Sequence, residues 1–145
     1  MAGYKKVLIA VDGSEESARI VDKGLAIAAD SNAQVDVVMV FEPLLGSYSF
    51  ELNMADFEKV QQEHQAQVAE KMTAELAVRF PSVKADHIHF LRGKPATEIK
   101  ALSEKLGVDL VVIGTHGQNP VRAMLGSTAN AVLHGTPCDI LTVRV

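Results

Sequence analysis

DLVVIGTHGQNPVRAMLGST, residues 109–128, is the stretch whose reading decides the fold. It opens as an unbroken apolar run, Leu110-Val111-Val112-Ile113, rich in β-branched residues and short enough for a strand buried on both faces. The run stops at Gly114. From there to Ser127 come three glycines, an Asn-Pro and a Gly-Ser, the chemistry of a loop that runs into a helix start. A buried strand ending in glycines at a helix N-terminus can turn backbone N–H groups toward a phosphate. The same glycines can equally serve turn geometry alone, and the loop by itself does not choose between the two.

Upstream, Gly93-Lys94-Pro95 predicts a helix with Pro95 in its first position, an apolar face of Ala96, Ile99, Leu102 and Leu106, and Gly107 as its C-terminal cap. Downstream, Ser127 is expected to cap a helix that holds Ala129, Val132 and Leu133 and ends at Gly135. Pro137 then precedes a last strand, Cys138 to Val145. At the other end of the chain, Tyr4 to Val11 reads as a central strand, since Val7 to Val11 is continuously apolar. Ser14 is expected to cap the next helix, with Glu15 and Glu16 in its first turn. Ala18, Val21, Leu25 and Ala28 give that helix one apolar face, and Asp30-Ser31-Asn32 closes it.

Val35 to Phe41 is a second strand, and Glu42 to Phe50 a loop whose Leu44, Leu45, Tyr48 and Phe50 are expected to pack under the following helix. That helix runs from about Glu51 to Arg79, with Phe57, Val60, His64, Val68, Met72 and Leu76 as its buried stripe. His64 reads as a core or rim histidine with a hydrogen-bond partner, since no second ligand lies one turn away. Asp86 to Leu91 alternates, which suits a strand near a sheet edge. His87 and His89 fall on one side of it, without a carboxylate or cysteine in the same alternation, so no metal site is expected.

Five strands alternating with four helices predict an α/β fold, one parallel sheet covered on both faces. A length of 145 residues suggests a single domain, 1–145. In such a sheet the winding reverses once and leaves a crevice at the strand carboxyl ends. The net charge of −4 and the absence of a basic stripe argue against a nucleic-acid partner. With no tryptophan and 5% aromatic residues, a base-stacking platform is not expected either. No apolar stretch approaches the ~20 residues of a membrane span. The first apolar run ends at Asp12, short of a signal-peptide core, and Cys138 is a lone cysteine. A cytoplasmic location is the expectation.

Asp12 and the Gly114 loop are expected to face the same crevice, an acidic acceptor opposite a cluster of N–H donors. A nucleotide fits that polarity: the carboxylate accepts from a sugar hydroxyl or an adenine amine, and phosphates rest on the amides of Gly117 and of Gly126-Ser127-Thr128. Asp12 can equally be a helix-start residue. His116 and Arg122 are near enough in sequence to touch a phosphate, or to be solvated loop residues. Neither GxxxxGK[ST] nor GxGxxG after the first strand occurs, and no serine or cysteine has a readable base and orienting acid. No lysine is placed to contact a transferring phosphoryl group. No catalytic residue is assigned, and at most a slow ATPase or self-phosphorylation is expected.

VLIAVDGS (Val7 to Ser14), DLVVIGTHG (Asp109 to Gly117), GST (Gly126 to Thr128) and PCDILTVRV (Pro137 to Val145) together resemble the universal stress protein (UspA-like) family, over nearly the whole chain. The resemblance implies a Rossmann-like, adenine nucleotide alpha hydrolase-like three-layer sandwich with a five-stranded parallel sheet of order 3-2-1-4-5. It also implies a cytoplasmic stress-response dimer, paired through the apolar edge strand Cys138 to Val145. One branch of the family binds ATP through Gly-x2-Gly-x9-Gly-Ser/Thr; another lacks the motif and is not known to bind nucleotide. Carried over by position, the resemblance places Asp12 near ribose or adenine and the Val40 backbone at adenine, with Ala10 and Ile113 on the adjoining strands. It sets Gly114, Gly117, Gly126, Ser127 and Thr128 around ribose and phosphates. The implied cofactor is ATP, with or without Mg2+, bound for sensing. Here, however, eight residues, Gln118 to Leu125, separate Gly117 from Gly126 where the pattern has nine. A deletion inside a helical turn would rotate every residue beyond it by about 100°. A deletion in the Gln118-Asn119-Pro120 turn could be absorbed. The alternative is therefore a nucleotide-free dimer that serves as a protein-interaction scaffold.

Overall fold

The computed structural model describes residues 3–42, 54–115 and 126–145. Strands β1 (Lys6–Val11), β2 (Gln34–Phe41), β3 (Ile88–Arg92), β4 (Leu110–Gly114) and β5 (Asp139–Val143) alternate with helices α1 (Ser17–Ser31), α2 (Met54–Arg79), α3 (Pro95–Leu106) and α4 (Ser127–Gly135). All four strand pairings are parallel, in the order β3-β2-β1-β4-β5. The sheet begins at its centre and winds one way to β3, then returns to the far side of β1. The switch point therefore lies between β1 and β4.

Burial on both faces is what the continuous apolar strands encode. On one side of the sheet Val7, Ile9, Val37 and Val112 pack with Ile20, Val21 and Ala28 of α1 and Leu76 of α2. On the other, Leu8, Ala10, Val38, Val111 and Ile113 pack with Ile99 and Leu102 of α3 and Ala129 and Val132 of α4. Neighbouring residues of one strand thus belong to different cores.

α3 begins at Pro95 as expected, but the starts of α1 and α4 depart from expectation. Ser14 does not cap α1. Its N–H is taken by the Asp12 carboxylate at 2.9 Å, and its carbonyl accepts the Ser17 N–H at 3.0 Å, so a side-chain-stabilised turn occupies the residues expected to be helical. The helix begins at Ser17, with Glu15 and Glu16 ahead of its first turn. Ile20 and Gly24 join its buried face, while Ala18 and Leu25 are only partly covered. Asn32 ends it at φ 54°, and Gly107 ends α3 at φ 67°, both as expected of αL caps. Ser127 is not a cap either: Gly126 holds that position, with no side-chain bond to the helix amides. Leu133 of α4 is exposed.

The stripe expected along α2 is buried only toward its C-terminal end. Leu76 is buried, Phe57, Val68 and Met72 half-buried, His64 exposed and Val60 58% exposed. A helix of 26 residues spans about 39 Å, whereas strands of five to eight residues span about 17–26 Å, so the helix outruns the sheet it packs on. His64 is accordingly neither a core nor a rim residue. Leu44, Leu45, Tyr48 and Phe50 lie outside the described residues.

Asp109, at the entrance to β4, fixes the register at the sheet's amino end. Its carboxylate accepts the N–H groups of Lys5 at 2.9 Å and Lys6 at 3.0 Å, and its own N–H donates to the Lys6 carbonyl. Desolvation pushes this carboxyl upward. The amides of Lys5, Lys6 and Asp109 itself, with the Lys5 charge, outweigh that and hold it below its ordinary value. A folded value below the unfolded one means the stabilisation is present above the ordinary carboxylate range and is lost as pH falls through the folded value. Asp109→Asn is expected to cost about 1 kcal/mol at pH 7, with solvent screening at this open site. Urea titrations should show that deficit shrinking once the pH drops below about 4. A deficit constant from pH 7 to pH 2 would contradict the assignment.

Candidate functional site

At the switch point the carboxyl ends of β1 and β4 part, and a hollow of about 160 Å³ opens between them. Ala10 and Asp12 come from the end of β1, Val40 from β2, Ile113 and Gly114 from the end of β4, and Gly126, Ser127 and Thr128 from the start of α4. These are eight of the residues expected from the sequence, and they line one cleft. The remaining three, His116, Gly117 and Arg122, lie outside the described residues, as does the eight-residue spacing after Gly117.

The walls are apolar and the polar groups converge from two sides, the arrangement of a small-molecule site. Ala10 and Ile113 are neighbours across the β1–β4 ladder, which makes one flat wall from two facing strand ends. Asp12 contributes the one charged side chain among the described lining residues. Opposite, α4 presents its first turn without a side-chain cap. The amides of that turn have no intrahelical acceptor, and the helix dipole adds partial positive charge there. The start of α4 is tied down where it meets β4, because the Gly126 N–H donates to the Thr115 carbonyl. Thr115 is anchored in turn: its N–H donates to the Val143 carbonyl at 2.9 Å, and its hydroxyl accepts the Val145 N–H at 3.3 Å.

Several lining residues escape the sequence reading: Val11, Ile20, Pro95, Ile99, Thr115 and Ala129. A usable signal exists. In a doubly wound sheet every helix starts at the carboxyl edge, so first-turn residues such as Pro95 and the next turn's Ile99 face the crevice. Ser17 escapes it too as a partner of Asp12, because Ser14 is the nearer polar group in that turn.

The histidine pair behaves differently from expectation. Asp36 of β2, 4% exposed, supplies the carboxylate that the alternation of β3 could not reveal. His89 Nε2 lies 2.7 Å from one of its oxygens and His87 Nδ1 3.6 Å from the other, with the Gln34 amide donating to it at 3.1 Å. His87 belongs to a 3₁₀ turn, Ala85–His87, ahead of β3. The cluster is an internal hydrogen-bonded tie between β2 and the edge strand. Among the described residues no group of three or more His, Cys, Asp or Glu is arranged to hold a metal ion. Nor is any helix there long and apolar enough to cross a membrane. Cys138 is half-buried, and burial followed by the Asp139 charge raises its thiol, which disfavours the thiolate a nucleophile needs.

Comparison with known proteins adds the lineage. A sequence profile of the universal stress protein family matches residues 3–144. Universal stress protein A homolog 1 of Coxiella burnetii is 37% identical over 142 residues, which cover 97% of this chain and 96% of that one. In fold, the chain is similar to a universal stress protein from Lactobacillus plantarum, with a TM-score of 0.79 at 21% identity over 99% of this chain and all of the other. It is also similar to a universal stress protein solved in complex with cAMP, with a TM-score of 0.68 at 24% identity over 98% of both chains. With the 3-2-1-4-5 sheet, the β1–β4 cleft and these matches in hand, the chain belongs to the universal stress protein family.

Proposed function

We propose that residues 1–145 form one domain that binds an adenine nucleotide, ATP foremost, in the β1–β4 cleft, and that it acts as a cytoplasmic stress-response sensor, not as a catalyst. The observation that carries this reading is the pairing of Asp12 with the uncapped first turn of α4 across an apolar hollow. Such a hollow takes a flat base between apolar walls, offers a carboxylate to sugar hydroxyls and offers amides to a phosphate. The cAMP bound to a relative of the same fold supports the ligand class without choosing among adenine nucleotides. The absence of a catalytic role rests on chemistry. Among the described lining residues there is no lysine, arginine or histidine to meet a transferring phosphoryl group.

Homodimerisation through β5 belongs to the same proposal. Its Ile140, Leu141 and Thr142 are half-buried on a sheet edge that carries one acidic residue, Asp139. An apolar edge of that kind invites a second strand. The shortened Gln118–Leu125 spacing favours a second reading, a nucleotide-free dimeric scaffold. Titration with a fluorescent ATP analogue, with and without Mg2+, separates the two. Saturable binding and a melting temperature that rises with ATP are expected. No saturation at millimolar nucleotide leaves the scaffold reading. Sedimentation equilibrium should give twice the 15.6 kDa chain mass, and a monomer would overturn the β5 pairing.

A further inference from the structure

The Asp12 carboxylate is held by its own loop. Its Oδ1 accepts the Ser14 N–H at 2.9 Å and the Ser17 hydroxyl at the longer distance of 3.4 Å. That same Ser17 oxygen accepts the Gly13 N–H at 3.1 Å. Gly13 sits at φ 81°, a left-handed conformation, so the turn between Asp12 and α1 is a specific one and Ser17 ties both of its sides together. Ser17 is the first residue of α1 and one of three buried polar residues among those described. One turn on, Ile20 lines the cleft, so α1 brings Ser17 to the back of the site and Ile20 to its wall.

A carboxylate on a strand end turns about its last torsion over a broad range. The Ser14 N–H and the longer Ser17 hydroxyl contact, both on one oxygen, narrow that range and bias the plane in which the group can meet a ligand. We propose that Ser17 is a positioning residue that sets the sugar selectivity of the cleft: by holding Asp12 Oδ1 it orients the carboxylate to receive a ribose hydroxyl. The inference rests on the adenine-nucleotide reading and deepens it. Ser17 itself does not line the cleft. It lies on the other side of the β1–α1 loop, on a groove of about 720 Å³ between α1 and α2. Its effect on the ligand therefore runs through Asp12.

The test compares affinities for ATP, 2′-deoxy-ATP and 3′-deoxy-ATP in the full chain and in its Ser17→Ala and Ser17→Thr variants. The unaltered protein is expected to prefer ATP over at least one deoxy analogue by about tenfold or more, the scale of a hydrogen bond to a charged group. In Ser17→Ala that preference should collapse to roughly twofold or less, and Ser17→Thr should restore it, the adjoining groove leaving room for the added methyl. A purely structural serine would lower all three affinities together, so an unchanged ratio in Ser17→Ala overturns the proposal. Binding of ATP without any sugar preference in the unaltered protein also overturns it. Failure of the unaltered protein to bind ATP at all instead sinks the nucleotide reading on which it rests. Should Ser17→Ala not fold, Ser17→Cys carries the same comparison, since the thiol is close in size but a weak donor.

Discussion

Replacing Gly24 with valine is expected to lower the stability of the fold by about 3 kcal/mol and the melting temperature by roughly 6–12 °C. Gly24 lies in the middle of α1, where glycine is the weakest helix former after proline. On propensity alone, alanine there should stabilise by about 1 kcal/mol, and valine by less. Packing reverses the sign. A Cβ at this position would run into Ile9 Cδ1, lie 2.7 Å from Ile9 Cγ1 and reach Val112 Cγ2 at 3.7 Å. Ile9 and Val112 are fully buried at the sheet centre, so neither side chain has anywhere to retreat. The helix must lift from the sheet or the core must repack. Gly24→Ala should already be destabilising, and Gly24→Val, with two further methyl groups, distinctly more so. Chemical denaturation decides it: the midpoint should fall with an unchanged slope. A midpoint that rises in Gly24→Ala would mean that α1 rides farther from β1 than described.

Asp12→Ala is expected to weaken ATP binding by about 10- to 100-fold while costing the fold only about 1 kcal/mol. The two effects separate because Asp12 sits where a strand ends and a cleft begins. Its structural work is the acceptor role toward Ser14 and Ser17. On the proposed reading, its ligand work is a charge-assisted bond to the nucleoside, in a hollow whose other walls are apolar. Asp12→Asn tells the two apart further. It keeps an oxygen for the loop donors and removes the charge, so stability should return almost to that of the unaltered protein while affinity stays low. The measurement is a thermal shift against ATP concentration, which tracks Kd through linkage. An Asp12→Ala protein that still gains stability from ATP at the original concentrations would move the ligand out of this cleft.

The sheet was legible because parallel strands covered on both faces must be apolar throughout. Leu110 to Ile113 and Val7 to Val11 show this without any tertiary information. The glycine cap of α3 and the proline at its first turn were legible for a similar reason, since backbone conformation there depends on the residue itself. The sequence therefore determined the alternation of elements and the facing of Asp12 toward Gly114, Gly126, Ser127 and Thr128; the 3-2-1-4-5 order and the placing of Ala10, Val40 and Ile113 at the same edge came through family resemblance.

Tertiary structure decided what depends on partners distant in the chain or on competition between near neighbours. Ser14 reads as the cap of α1 in one dimension; in the folded chain the Asp12 carboxylate takes its N–H for a turn and also accepts the Ser17 hydroxyl. Asp36 reads as an exception in an apolar strand, and it becomes intelligible only when β3 brings His89 against it from 53 residues away. The stripe of α2 is a sound helical pattern whose burial was fixed by the length of the sheet beneath it, a quantity that no local window contains. Local conformation is written residue by residue, whereas burial and side-chain partnership are properties of the packed whole.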